Sequence, residues 1–433
     1  MASGDRIYVA DKETLDEVLA TVKQHSSILS INPVYGFIEH MDELDPAKRI
    51  EYIGINANYS PLTVDVAGTH IATYNEWSSF PVLKANKPWM VRSDGTPDYQ
   101  LSETDYTKRE DGTTDSDVAN TEYDGGAFSW LIKHYKYEKN YGSDRVVMYS
   151  MTPRPGFEPV GFIDGDNQEL EGLWIPMFYG ATVTLNDTTR MTSLSGLQPD
   201  YNKTTDQQKT LIDAFGTRAR FLGGAVINVI SDLLMMWAKT SDVQLAYGFG
   251  NMSGYVNNAS VYYGVLQNAV VSGGQFYGTN GGKALNKILH SIVLGTWQQW
   301  QIDPYTLCYN GKILVSPNYT YDLTAATYKD TGLIIPNESA SRWVYPHKYK
   351  TIPNFGSFPY GPPYLGSTTT GGADGLYVRA DQSTYSAVFL RFGDCVTGRV
   401  GGPRAVRLGS AAASTSWGFG SSVLLLPPVG VAA

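Results

Sequence analysis

Cysteine is almost absent from this 433-residue chain, which has only Cys308 and Cys395, far apart in sequence. That excludes a disulfide framework and specifies no zinc site. Charge is sparse as well, at 17% of residues, and no run of five lysines or arginines occurs anywhere. The formal net charge is −9, so no nucleic-acid partner is expected, because phosphate binding needs a concentrated basic face. Long apolar runs are also missing. The most apolar stretch, 222-LGGAVINVISDLLMMWAK-239, is interrupted by Asn228, Ser231 and Asp232. It reads as a buried helix, and no membrane insertion is expected. The opening MASGDRIYVADKETLDEVL is charged and lacks the apolar centre of a secretory signal. A soluble protein made in a cytoplasm is the expectation.

Familiar catalytic patterns are missing too. The six histidines (His25, His40, His70, His134, His290 and His347) form no HxH, HExxH or His/Cys grouping, so no metal site is expected. There is no nucleophile elbow, no Walker loop, and no GxGxxG opening a helix. The segment 272-SGGQFYGTNGGK-283 has the composition of a phosphate cradle without its spacing, and structural turns explain it better. Asp164, Asp166 and Asp303 could supply a carboxylate pair for cleaving sugar bonds, but nothing in the sequence brings them together. The residues point away from an enzyme and toward binding, with no cofactor.

What is abundant is Gly (44), Tyr (30) and Pro (22), which suits an α+β, loop-rich protein with short antiparallel strands and one or two helices. Leu15, Val18, Leu19 and Val22 recur at helical spacing, with Asp11 or Thr14 as candidate caps. That helix either packs on its own domain or assembles with copies of itself. Strands are expected at 34–40, 49–55, 127–137, 144–151, 170–180 and 310–317. A helix is expected over 218–239, and 284–303 should begin helical and end as a strand. The acidic stretch 80–125 reads as an extended connection or short hairpins. Residues 351–376, rich in Pro, Gly and aromatics, read as a functional excursion. Its 355-FGSFPYGPPYLG-366 rings either stack on a ligand or pack the loop. The domain reading is 1–80 for attachment and oligomerisation, 81–126 as a connecting segment, and 127–433 as a ligand-display domain.

The end of the chain has a different texture. From Phe392 to Ala433 there is no Tyr, Asn, Lys, Glu, Gln, Met, Ile or His. Two accounts stand side by side for 396–419: a surface of interchangeable side chains, or a strand-and-loop region buried against its domain. Three arginines, Arg399, Arg404 and Arg407, favour the surface, since unpaired arginines are costly to bury. Residues 422–429 read as a buried strand.

Several blocks, in order, carry a resemblance. They are 35-YGFIEHMDELDPAKRIEYIG-54, 88-PWMVRSDGTPDYQLSETDYTKREDGT-113, 240-TSDVQLAYGFGNMSG-254, 312-KILVSPNYTYDLTAATYKDTG-332 and the closing GRVGGPRAVRLGSAAASTSWGFGSS. Together they resemble tailed-phage virion proteins with a C-terminal C-type-lectin-like domain. That domain is related to the formylglycine-generating enzyme and is used as the variable protein of diversity-generating retroelements. The family's framework is matched at Phe392-Gly393, Gly398, Gly402-Pro403, Leu408, Ala412, Trp417, Gly420 and Ser421. The resemblance then implies that Val396, Thr397, Arg399, Val400, Arg404, Arg407, Gly409, Ser410, Ser414, Thr415, Ser416 and Phe419 are exchangeable ligand-binding positions. In such systems adenine-directed mutagenesis of Asn codons yields Val, Thr, Arg, Gly, Ser, Ala or Phe, but not Lys, Glu, Gln or Met.

The implied function is a phage virion surface protein: an adhesin, or a head, tail or fibre decoration. Its implied ligand is a bacterial surface protein or glycan, and its other partners are virion proteins and further copies of itself, as a dimer or trimer. The alternatives are a purely structural capsid or tail component, or a polysaccharide depolymerase. The oxidase's close cysteine pair is missing, and only 295-GTWQQW-300 loosely echoes one of its elements, so the fold is expected without that chemistry. The calcium-dependent sugar motifs are absent from their usual place, with 198-QPD-200 lying well before it.

Overall fold

A computed structural model of the chain describes residues 34–65, 72–248, 286–296, 299–359, 362–394 and 397–433. The amphipathic segment at 11–24 lies outside the described residues, as do Cys395 and Val396.

Three sheets carry the architecture, as the alternating patterns require. In the first, Tyr35–His40 lies between Ile50–Gly54 and Asp144–Ser150, and Tyr135–Tyr141 flanks the latter, all antiparallel. The chain reverses between the first two strands because Asp45 accepts from the Ala47 N–H at 3.1 Å and Pro46 opens the short helical turn Pro46–Arg49. The second sheet runs Ala219–Phe221, Val423–Leu425, Gly172–Pro176, Gly125–Ile132, Pro88–Arg92 and Pro97–Gln100. The third runs Lys329–Ile334, Lys312–Val315, Trp300–Tyr309, Ala387–Arg391, Val406–Arg407, Leu376–Val378 and Arg342–Val344. Phe419–Gly420 adds to it, parallel to Trp300–Gln301.

The helix Ala225–Ala238 is buried along its whole length, as a helix apolar on every side must be. Its three polar residues, which interrupt the apolar run in sequence, are the points where it fastens its neighbours. Asn228 Nδ2 donates to the Phe355 carbonyl at 3.1 Å, Ser231 Oγ to the Pro403 carbonyl at 2.7 Å, and Asp232 accepts from Lys136 and Arg145. A buried polar group is tolerated when it is bonded in this way. The helix begins seven residues later than the sequence suggests. Ala219–Phe221 is instead an edge strand, and Gly224, at φ 67°, turns the chain between them.

Mostly β structure with few helices agrees with the expected α+β, sheet-rich class. The boundaries at 80 and 126 do not separate modules among the described residues. Tyr35–His40 pairs with Asp144–Ser150, and Pro88–Arg92 pairs with Gly125–Ile132. The polar texture of 81–126 is turn chemistry. Asp94, Asp105 and Asp111 each accept from a backbone N–H two residues on, at 2.9, 3.0 and 2.7 Å. Between these turns Leu101, Tyr106, Val118 and Tyr123 are buried in the main core.

Candidate binding face

The closing segment is divided between interior and surface. Arg404 is buried and makes a two-pronged contact with the Glu39 carboxylate, 3.1 Å on each side, while its guanidinium lies 3.8 Å from the centre of the Tyr349 ring. Glu39 also takes Arg49 Nε and Arg145 Nε at 2.8 Å each. Burial alone would push the Glu39 carboxyl up. The charges of Arg404, Arg49 and Arg145 outweigh it and hold the carboxyl well below the ordinary range. The Arg404 backbone N–H reaches Asp374 Oδ2 at 2.6 Å. Burial nevertheless pushes Asp374 up to about 8, against the pull of Arg404. Gly402 is required beside it, since a Cβ there would stand 1.9 Å from Asp374 Oδ1.

Arg399 is half-exposed and committed to Asp242 and to the Thr368 carbonyl. Arg407 differs from both. It is half-buried between the rings of Tyr377 and Phe419, 5.4 and 5.7 Å from their centres, and no described carboxylate pairs with it. Its Nε is buried without a hydrogen-bond partner. Behind it the aromatic contacts continue inward. Trp343 meets Tyr377 edge-on at 5.3 Å and stacks on buried Trp300 at 5.9 Å. Trp343 and Tyr377 are half-exposed on paired strands. The arrangement is a ledge of rings ending in a held, uncommitted guanidinium. Such a group suits a carboxylate or phosphate approached edge-on.

Beyond Arg407 the 408–418 loop is fastened through its backbone. Leu408 N–H donates to Tyr377 O at 3.1 Å, Thr205 N–H to Ala412 O at 3.0 Å, and Asn202 N–H to Ser416 O at 3.0 Å. Ser414 N–H closes a turn on Ala411 O at 2.9 Å. Main-chain bonds fix most of this loop, Ser416 Oγ adds one contact by accepting from the Gly418 N–H at 3.2 Å, and Ala413 and Thr415 are exposed. Its neighbour is the helix Thr205–Asp213, whose start is a reciprocal Thr204–Gln207 cap. The T-x-x-Q signature for that cap is present in the sequence.

The nominated positions therefore fall into two groups. Thr397, Arg399, Val400, Arg407, Gly409, Ser414 and Ser416 are half-exposed and Thr415 is exposed. Arg404, Ser410 and Phe419 are buried and are corrected as display residues. Arg404 is neutralised by a carboxylate from the first strand, and Phe419 lies in a strand against Trp300. Ser410 has 4% of its surface accessible. Val396 lies outside the described residues. The buried strand expected at 422–429 is Val423–Leu425, and burial extends through Pro427 before Val429 emerges.

The 355–366 excursion begins as a hairpin, Tyr349–Ile352 with Gly356–Pro359, whose Phe355 and Phe358 are in the core. Those two rings pack the protein. Of the carboxylates singled out for sugar cleavage, Asp303 is a strut that accepts from Gly224 N, Tyr305 N, Thr306 Oγ1 and Arg391 Nε. Asp164 closes a turn on Asp166 N and Gln168 N. Among the described residues no group of three His, Cys, Asp or Glu side chains is placed to hold a metal ion. Trp343, Tyr377 and Asp374 were not singled out from the sequence. The only local signal is the alternation of Leu376, Tyr377 and Val378, which buries the first and third and presents the second. Searches against protein-family models and against curated proteins returned no match for this chain.

Proposed function

We propose that the chain is a tailed-phage virion surface protein whose C-terminal region has the C-type-lectin-like fold. Its 397–419 face would contact a protein or glycan of the bacterial envelope. The observation that carries this reading is Arg407, a half-exposed residue braced by Tyr377 and Phe419 and lacking a carboxylate partner among the described residues. A cation held in place without a carboxylate partner among the described residues has binding capacity available for another molecule. Beside it, a loop anchored by main-chain hydrogen bonds at both ends carries Ser414 and Thr415. Side chains on such a loop can be exchanged while the backbone stays ordered, which lowers the ordering cost of binding. Many copies on one particle would turn weak single sites into firm attachment. Self-association as a dimer or trimer, contacts with other virion proteins, and action without a cofactor or catalysis belong to the same reading.

The test is adsorption of otherwise intact particles carrying Arg407→Ala or Tyr377→Ala to host cells. The expected outcome is a fall in adsorption of about tenfold or more, as for removal of a central Arg or Tyr from an interface. Unchanged adsorption by particles with normal assembly would leave a structural head or tail component as the better description.

A further inference from the structure

The resemblance implies an exchangeable ligand contact at 409, yet the surroundings of that position ask for the absence of a side chain. Gly409 is half-exposed and its φ lies outside the positive region, so the backbone there accepts any residue. The constraint is a neighbouring ring. A Cβ at 409 would stand 2.9 Å from Tyr377 Cε1, 3.1 Å from Tyr377 Cδ1 and 3.5 Å from Arg407 Nε. Carbon atoms pack at roughly 3.5–4.0 Å, so a methyl group at this point fits against the arginine and collides with the tyrosine.

Either the chain or the ring must yield to such a group. The chain is tied on both sides. Leu408 N–H donates to Tyr377 O at 3.1 Å, Val406 N–H to Gly375 O at 3.0 Å, and Tyr385 Oη to Gly409 O at 3.4 Å. Leu376–Val378 and Val406–Arg407 are parallel neighbours with Tyr377 opposite Arg407, which sets the two side chains next to each other. The ring is the freer part. It is half-exposed, meets Trp343 edge-on at 5.3 Å, and lies 5.4 Å from the Arg407 guanidinium. With a methyl group at 409 the ring has to move by about 0.6–1 Å to restore ordinary contact, and a larger side chain demands more. The support beside the guanidinium moves with it.

We infer that Gly409 is a positioning residue for the display face: the empty space at 409 keeps the Tyr377 ring beside Arg407, and the ligand meets the arginine so held rather than residue 409. The inference rests on the reading of 397–419 as a binding face and adds which residue sets its specificity. A side chain at 409 changes recognition through the ring and the guanidinium, without contributing a contact of its own.

The first measurement needs no ligand. In the nitrogen-labelled full-length protein, the Arg407 Nε–H resonance is identified by its loss in Arg407→Lys. This Nε is buried and its guanidinium lies against two rings, so the resonance reports ring position. Gly409→Val should shift it and leave that of Arg404 in place, and Gly409→Ala should shift it less. An unmoved resonance in folded Gly409→Val would overturn the inference. The second measurement is adsorption of otherwise intact particles. Gly409→Val should lower it by as much as Tyr377→Ala, on the order of tenfold, and the double variant should adsorb no worse than Tyr377→Ala alone. Losses that multiply in the double variant would put residue 409 itself against the ligand and reject the positioning role. Should Gly409→Val fail to fold, the same substitution in the Tyr377→Ala background has room and should fold; misfolding in both backgrounds rules out the ring as the cause. Unchanged adsorption by Arg407→Ala particles would end the display reading, and the resonance would still decide whether Gly409 places Arg407.

Discussion

Arg404 and Arg407 are three positions apart in one segment, and each lies against a tyrosine ring, yet they belong to different parts of the molecule. Arg404 is sealed inside on Glu39, with Tyr349 at 3.8 Å. Arg407 rests half-exposed against Tyr377 at 5.4 Å and has no acid among the described residues. The carboxylate decides the difference. Burying a guanidinium costs several kcal/mol unless an anion and hydrogen bonds answer it, and the first strand supplies that anion at one position only. A composition poor in Lys, Glu and Asn therefore does not by itself mark a surface. It covers an interior arginine and a presented one equally well.

The widest test of that contrast removes the shared anion. Glu39→Gln leaves Arg49, Arg145 and Arg404 buried around a neutral amide, and a loss of about 3–5 kcal/mol is expected in urea unfolding. A loss below about 1 kcal/mol would mean that the cluster is not what holds Arg404 inside. The same carboxylate sets an acid limit. Its folded pKa is depressed, so its contribution is full above the ordinary carboxylate range and disappears as pH falls below it.

The next effect has the opposite sign. Asp374 is raised from 3.8 to about 8, chiefly by burial. The unfolded chain releases this proton near pH 4 while the folded protein holds it to about 8, so stability is lost as pH rises across that interval. Asp374→Asn keeps an oxygen for the Arg404 N–H and cannot ionise. It should raise the melting temperature at pH 8 more than at pH 4. A variant with an unchanged pH profile would show that Asp374 is not the group responsible.

The smallest effect sharpens the comparison most directly. Arg404→Ala should cost about 3 kcal/mol by stranding part of the Glu39 charge, whereas Arg407→Ala should cost only about 0.5–1 kcal/mol of ring contact. Equal losses in parallel unfolding curves would erase the distinction between the two positions.

Much of the framework was legible in the sequence. Alternation locates the strands at 35–40 and 50–54, whereas 144–150, buried from Arg145 to Ser150, is legible as an apolar β-rich run with a core on each face. The continuous apolar run locates the central helix because that helix is buried on every side. What was not legible is pairing across distance. Nothing local in 34-VYGFIEH-40 indicates that Glu39 will meet an arginine 365 residues later. The turn-rich 81–126 segment looked like a connection because its aspartates satisfy their own backbone, which hid the buried Tyr106 and Tyr123 between them. At the candidate face, Arg407 was visible as a residue type, but its freedom depends on the absence of a neighbouring acid, a property of three dimensions. The ledge behind it joins Trp343 and Tyr377, which meet only through strand pairing.

The contact between Glu39 and Arg404 also has a consequence for biosynthesis. Glu39 leaves the ribosome 365 residues ahead of its partner, an interval of about 20–70 s at elongation rates of roughly 5–20 residues per second. The four strands of the first sheet all lie within residues 35–150 and can pair well before then, but the Glu39 carboxylate must meanwhile be solvated or matched by Arg49 and Arg145 alone. The final strand, Val423–Leu425, which inserts between Gly172–Pro176 and Ala219–Phe221, arrives later still. Completion of the native state thus waits until Val423–Leu425 has been made, and products truncated before it should remain open and vulnerable to proteases.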